Sequence, residues 1–135
     1  MSFLERLQVG QEIPALQKGP ITRQLLVEWC AAENDYYPLH YDERVAASMQ
    51  LPGTPIQGTY KYALMGQAVQ RWLDGHGTVN KLSARYKGLN LECEHVTARG
   101  RIAQIDGGRV TLDVWVEGAN GERTTEGIAI VTINN

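Results

Sequence analysis

The chain has 135 residues, 43% of them hydrophobic and 21% charged, which is enough for one domain with one core, too short for two, and unlike a disordered chain. Its 13 Lys and Arg against 15 Asp and Glu leave a formal net charge of −2 with no basic run, which excludes the footprint of a nucleic-acid binder. No stretch approaches the roughly 20 apolar residues of a membrane span, and Met-Ser-Phe-Leu-Glu-Arg-Leu at the N-terminus lacks the apolar stretch of a signal peptide. A single domain over residues 1–135, cytoplasmic and free of membrane contact, is therefore expected.

Taken in order, residues 8–18 contain Gly10 and Pro14 and read as a turn followed by a short edge strand. Thr22 then offers an N-cap, and Leu25, Leu26, Trp29, Cys30 and Ala32 fall at helical spacing, predicting a helix over 23–33. Asp42 to Met49, with a capping acid and small apolar residues, predicts a second, short helix. Leu51-Pro-Gly-Thr-Pro55 ends it in a loop. The longest helical pattern opens at Ile56-Gln-Gly-Thr59 and covers about 59–73, with Tyr62, Ala63, Met65, Gly66, Val69 and Leu73 assigned to its inner side. From Thr78 the periodicity changes to two, and 79–86, 95–105, 110–116 and 124–133 read as strands separated by Gly-rich turns. With no helix between them, the last three form an antiparallel meander. One sheet against one long helix is an α+β layout. Its open face and edges predict a dimer.

The chemistry concentrates between Asn34 and Asp42, Asn-Asp-Tyr-Tyr-Pro-Leu-His-Tyr-Asp. Pro38 has a fixed φ and pushes Tyr37 towards extended backbone, so the preceding helix stops here and Asp35 and His40 converge on a volume that could hold one water. Taken singly, such residues are usually a turn-capping aspartate and a surface histidine. Tyr36, Tyr37 and Tyr41 nevertheless crowd the segment and suggest a walled, partly apolar site, which would draw both pKa values towards neutrality. Cys30 and Cys93, in helix-like and strand-like contexts, have no metal-ligand spacing and read as reduced and structural; His40, His76 and His95 are too scattered for a metal motif. No metal or other cofactor is expected.

With these elements placed, the chain resembles the MaoC-like dehydratases, the family of (R)-specific enoyl-CoA hydratases. The resemblance rests on Asp35, Pro38, His40 and Asp42 in register with the family's Asp-x-Asn-Pro-x-His-x-Asp, and on Gly58 opening the central helix. It implies a hot-dog fold, a curled antiparallel sheet around a central helix, paired into dimers. It also implies a hydro-lyase acting on an acyl-CoA or acyl-ACP thioester, with Asp35 and His40 as the catalytic pair and the Gly58 amide as oxyanion donor. The chain departs from the pattern at Tyr37, where Asn is usual, and at Gln57, where His is usual. Tyr37 and Gln57, with Tyr36 and Tyr62, are expected to contact substrate.

Two rivals share the fold. A hot-dog thioesterase commonly places a carboxylate on the central helix or the loop before it, and Leu51 to Leu73 contains no Asp or Glu. A non-catalytic subunit paired with a second dehydratase chain is the other, kept open by Tyr37 and Gln57. A binding module for some other small molecule would need no acid–base pair.

Overall fold

The structure, a computed structural model, describes residues 1–134. A short 3-10 turn, Leu4–Arg6, precedes strand β1 (Leu16–Lys18) and helix α1 (Arg23–Glu33). After a 3-10 turn at Pro38–His40 come α2 (Glu43–Ser48) and the long helix α3 (Gly58–Leu73). The chain finishes with β2 (Gly77–Leu82), β3 (Arg85–Tyr86), β4 (Val96–Asp106), β5 (Arg109–Glu117) and β6 (Arg123–Ile133). The strands form one antiparallel sheet in the order β1-β4-β5-β6-β2, with β3 also on β6. α3 packs against β1, β2, β4, β5 and β6, so the sheet curls around it.

Local chemistry accounts for these boundaries. The Thr22 hydroxyl accepts from the Leu25 N–H at 3.1 Å and starts α1. Asn34 ends it in the left-handed region at φ 55°. The Asp42 carboxylate caps α2 by accepting from the Arg44 N–H at 2.9 Å, and the Arg44 guanidinium holds that carboxyl below its usual range. Along β5, Val110, Leu112, Val114 and Val116 point into the core while Thr111 and Asp113 point away. Trp115 lies on the outer face yet is buried, because the Arg123 guanidinium stacks 3.9 Å from its ring centroid and Arg101 lies 5.8 Å away.

Three sequence expectations need correction. The strand expected over 79–86 is two strands: regular pairing with β6 breaks at residues 83–84, where the Ser83 carbonyl oxygen comes so close to Gly127 that a Cβ there would lie 1.8 Å from it, while the Ser83 N–H still donates to the Ile128 carbonyl at 3.0 Å. Cys93 lies in an exposed turn at φ 70°, not in a strand. The inner side of α3 is rotated from its expected position. Tyr60, Lys61, Leu64, Met65, Ala68, Val69 and Leu73 are buried, whereas Tyr62 is exposed and Ala63 half-buried. A lysine at position 61 reads as solvent-facing, and that one residue shifted the apparent stripe.

Candidate functional site

Four segments meet at one pocket of about 360 Å³: the end of α1, the turn at 35–40, residues 55–61 at the start of α3, and the wall at 86–89. Asp35, His40, Gln57 and Gly58 line it together with Glu33, Lys61 and Tyr86. Asp35 arrives because the left-handed Asn34 turns the chain out of α1, with the Asp35 N–H donating to the Cys30 carbonyl at 3.0 Å. Pro38 starts the 3-10 turn that carries His40 back to the same opening.

His40 is held by its backbone neighbour across the pocket. Its Nδ1 lies 2.8 Å from the Pro55 carbonyl oxygen. A carbonyl can only accept, so Nδ1 carries the proton and Nε2 of the neutral ring is left with a free lone pair. Tyr37 packs edge-on against the ring at 5.9 Å between centroids. Gly58 is the first residue of α3, where helical geometry leaves the N–H without an intrahelical acceptor. A Cβ at Gly58 would lie 2.9 Å from Tyr86 Cε1, so glycine is what lets the Tyr86 ring lie against the helix start.

The tyrosines expected in the site are placed otherwise. Tyr36 and Tyr37 are 55% and 46% exposed, and neither lines the pocket. Tyr62 also lies outside the lining and donates its hydroxyl to the Leu82 carbonyl at 2.9 Å. Asp35 is exposed, so this chain alone does not supply the apolar wall expected around it. The physical reason is the rigid turn at Pro38, which projects Tyr36 and Tyr37 outward. Gln57 does border the pocket, but its side chain is buried and its Nε2 donates to the Leu26 carbonyl of α1 at 2.8 Å. Gln57 Oε1 has no partner among the described residues.

Among the lining residues that sequence reasoning missed, Glu33, Tyr86 and Lys61 carry titratable groups. Glu33 reaches the start of α3, where its Oε2 accepts from the Thr59 hydroxyl at 2.7 Å while that hydroxyl accepts from Trp29 Nε1 at 2.9 Å. Tyr86 read only as the end of a strand. Partial desolvation of its hydroxyl raises its pKa, with smaller contributions from Tyr62 and Glu33. Lys61 read as a surface lysine, yet it is 2% exposed. Burial lowers its pKa to about 8, with Glu94 opposing the shift.

A curled antiparallel sheet around one long helix defines a hot-dog fold. The (R)-hydratase from A. caviae involved in PHA biosynthesis is similar, with a TM-score of 0.88 at 21% identity over 96% of this chain and 98% of that one. R-hydratase PhaJ1 from Pseudomonas aeruginosa, in the unliganded form, gives 0.89 at 19% identity over 98% of this chain and 85% of that one. The ChsH1-ChsH2 complex from Mycobacterium tuberculosis gives 0.85 at 16% over 94% and 98%. A Thermus thermophilus hypothetical protein described as a thioesterase superfamily member is more distant, at a TM-score of 0.65 and 15% identity over 93% and 82%. At such identities the likeness establishes the fold. No family model and no curated protein matches the sequence.

Proposed function

We propose that this chain is an acyl-thioester hydratase and dehydratase, which adds water across the double bond of a trans-2-enoyl thioester on coenzyme A or acyl carrier protein and removes it in reverse. The observation that carries this reading is the convergence of Asp35, His40 and Gly58 on one pocket. Hydration puts a hydroxyl on Cβ and a proton on Cα. His40 Nε2 and the Asp35 carboxylate divide the two proton transfers between the water and Cα. The Gly58 N–H, at the positive end of α3, faces the thioester oxygen where enolate charge develops. The hydratases that share the fold support the same class of reaction.

The active unit in this reading has a second chain. Tyr36, Tyr37, Tyr86 and Leu89 are all exposed, and Tyr86 and Leu89 lie on the pocket wall. Covering them would supply the wall that Asp35 lacks. A second copy is the simplest occupant; the two-chain complex among the structural neighbours supports a different chain as the alternative. Glu33 favours the thioesterase reading, since it brings a carboxylate to the start of the central helix from α1.

A screen of trans-2-enoyl-CoA esters of graded size, followed by loss of the conjugated thioester absorbance and by free-thiol release, tests the proposal. Absorbance should fall without thiol release. Thiol release instead identifies a thioesterase, and no reaction by the lone chain with activity on adding a second dehydratase chain identifies a specialised subunit.

A further inference from the structure

Among the described residues, Lys61 is the buried side chain that carries a formal charge, and the proposed chemistry leaves it without a task. No carboxylate lies within ion-pair distance of its ammonium among the described residues. Instead Nζ donates to the Gly88 carbonyl and to Asn90 Oδ1, each at 3.1 Å. Asn90 is itself locked: Thr124 Oγ1 donates to its Oδ1 at 2.6 Å, and its Nδ2 donates to Glu94 Oε1 at 3.5 Å. Sinking an ammonium into a core without a counter-charge is costly, and a leucine or methionine would fill the slot without that cost.

What the ammonium grips is the pocket wall. Gly88 and Leu89 line the pocket beside Tyr86; the Gly88 N–H donates to the Thr124 carbonyl at 3.1 Å and the Asn90 carbonyl accepts from the Ile56 N–H at 2.8 Å, while no backbone hydrogen bond reaches Leu89 between them among the described residues. Lys61 follows Gly58 by three residues, so both lie on one face of α3, one turn apart. The wall is thus tied to the same helix face that begins with the Gly58 amide.

We propose that Lys61 is a positioning residue: by holding Gly88 and Asn90 on α3 it sets the gap between the Tyr86–Leu89 wall and the Gly58 amide, and so determines which acyl chains the pocket accepts. The inference rests on the reading of the pocket as an acyl-thioester site. Lys61 is 2% exposed and its Nζ is engaged by Gly88 and Asn90, so it acts through the wall. The lowered pKa adds a handle, since loss of charge weakens both hydrogen bonds. The groups facing Lys61 are Glu94 behind Asn90, Thr124 from β6, and Glu33, Asp35, His40 and Tyr86 around the pocket.

The test compares wild type with Lys61→Met, which fills the slot without a donor. Calorimetry with saturated butyryl-, hexanoyl- and octanoyl-CoA reads binding without turnover, and the matching 2-enoyl esters read kcat and KM. In Lys61→Met, Kd and KM for the preferred chain should rise about tenfold and the chain-length preference should flatten, with kcat within about threefold of wild type. Wild-type Kd should also rise between pH 7 and 9, a dependence that Lys61→Met should lack. A folded variant with wild-type Kd and preference overturns the proposal, as does a collapse of kcat at unchanged Kd. Should the variant not fold, a flat wild-type Kd from pH 7 to 9 overturns it equally. Wild type that binds saturated esters but hydrates no enoyl ester refutes the hydratase reading while Lys61 is still judged by Kd; wild type that binds none refutes both.

Discussion

At His40 the tautomer is decided by Pro55, whose carbonyl accepts the Nδ1 proton at 2.8 Å and leaves Nε2 to take one. Asp35 shares the pocket, so the two should behave as one unit. Asp35→Asn, His40→Ala and the double variant should all lose hydratase kcat to a similar depth, on the order of a thousandfold, because groups acting together are non-additive. Near-wild-type kinetics in either single variant would refute their pairing. Lys61 gives a prediction about stability. Its pKa falls from 10.5 in the unfolded chain to about 8 in the folded one. Between those values the unfolded state binds the extra proton, so folding becomes more favourable as pH rises, by up to about 3 kcal/mol. Urea titrations of wild type and Lys61→Met at pH 7.5 and 10 should show wild type gaining on the variant at the higher pH; a constant difference would contradict the assignment. Lys61 also marks the limit of reading residues from sequence. Asp35 and His40 were visible because a proline fixes the turn between them, whereas the partners that make Lys61 burial tolerable, Gly88 and Asn90, are distant in sequence.

At the scale of elements, the start of α1 was legible because Thr22 is a local cap, and its end was read from the restriction at Pro38; the left-handed Asn34 that closes it is seen only in the structure. The split between β2 and β3 was not, since it depends on the backbone approach of Ser83 to Gly127 from another strand. The junction of α1 and α3 combines both kinds of information. Gly58 was legible as a helix start, but the Tyr86 ring against it was not. In Gly58→Val the new side chain must displace that ring, an exposed side chain at a strand end, so the fold should survive while the pocket wall moves. Valine keeps the backbone N–H but its side chain blocks the thioester carbonyl from reaching it, and losing a comparable oxyanion contact costs about 2.7–4 kcal/mol, so kcat/KM should fall by roughly a hundredfold to a thousandfold with an unchanged circular dichroism spectrum. Gln57 should respond in the opposite way. Its Nε2 serves a Leu26 carbonyl within α1, while its Oε1 is buried without a partner among the described residues. Gln57→Met removes both at similar volume, and its stability by urea titration should stay within about 1 kcal/mol of wild type. A loss of several kcal/mol would mean that the amide, not the volume, holds α1 to α3.

For the molecule as a whole, the sheet leaves the outer edge of β2 without a partner strand among the described residues, and the pocket opens beside exposed Tyr86 and Leu89. An edge strand and exposed aromatic groups beside a functional opening are features that soluble folds normally cover. A stable interface buries about 1,600 Å² in total, and burial on that scale at the pocket mouth would also desolvate Asp35 and bring Tyr36 and Tyr37 into contact with an occupant. The sequence suggested these tyrosines as a wall; in this chain they face outward, so they can act as one only against another chain. Size-exclusion chromatography with light scattering should therefore give twice the 15.0 kDa chain mass. Tyr37→Glu should shift that dimer towards monomer and reduce hydratase activity in parallel, because a charge cannot be buried there without a partner. A wild type that is monomeric and fully active would show that the pocket is complete within one chain. A wild type that is monomeric and inert, gaining activity with a second dehydratase chain, would assign the missing wall to a different subunit.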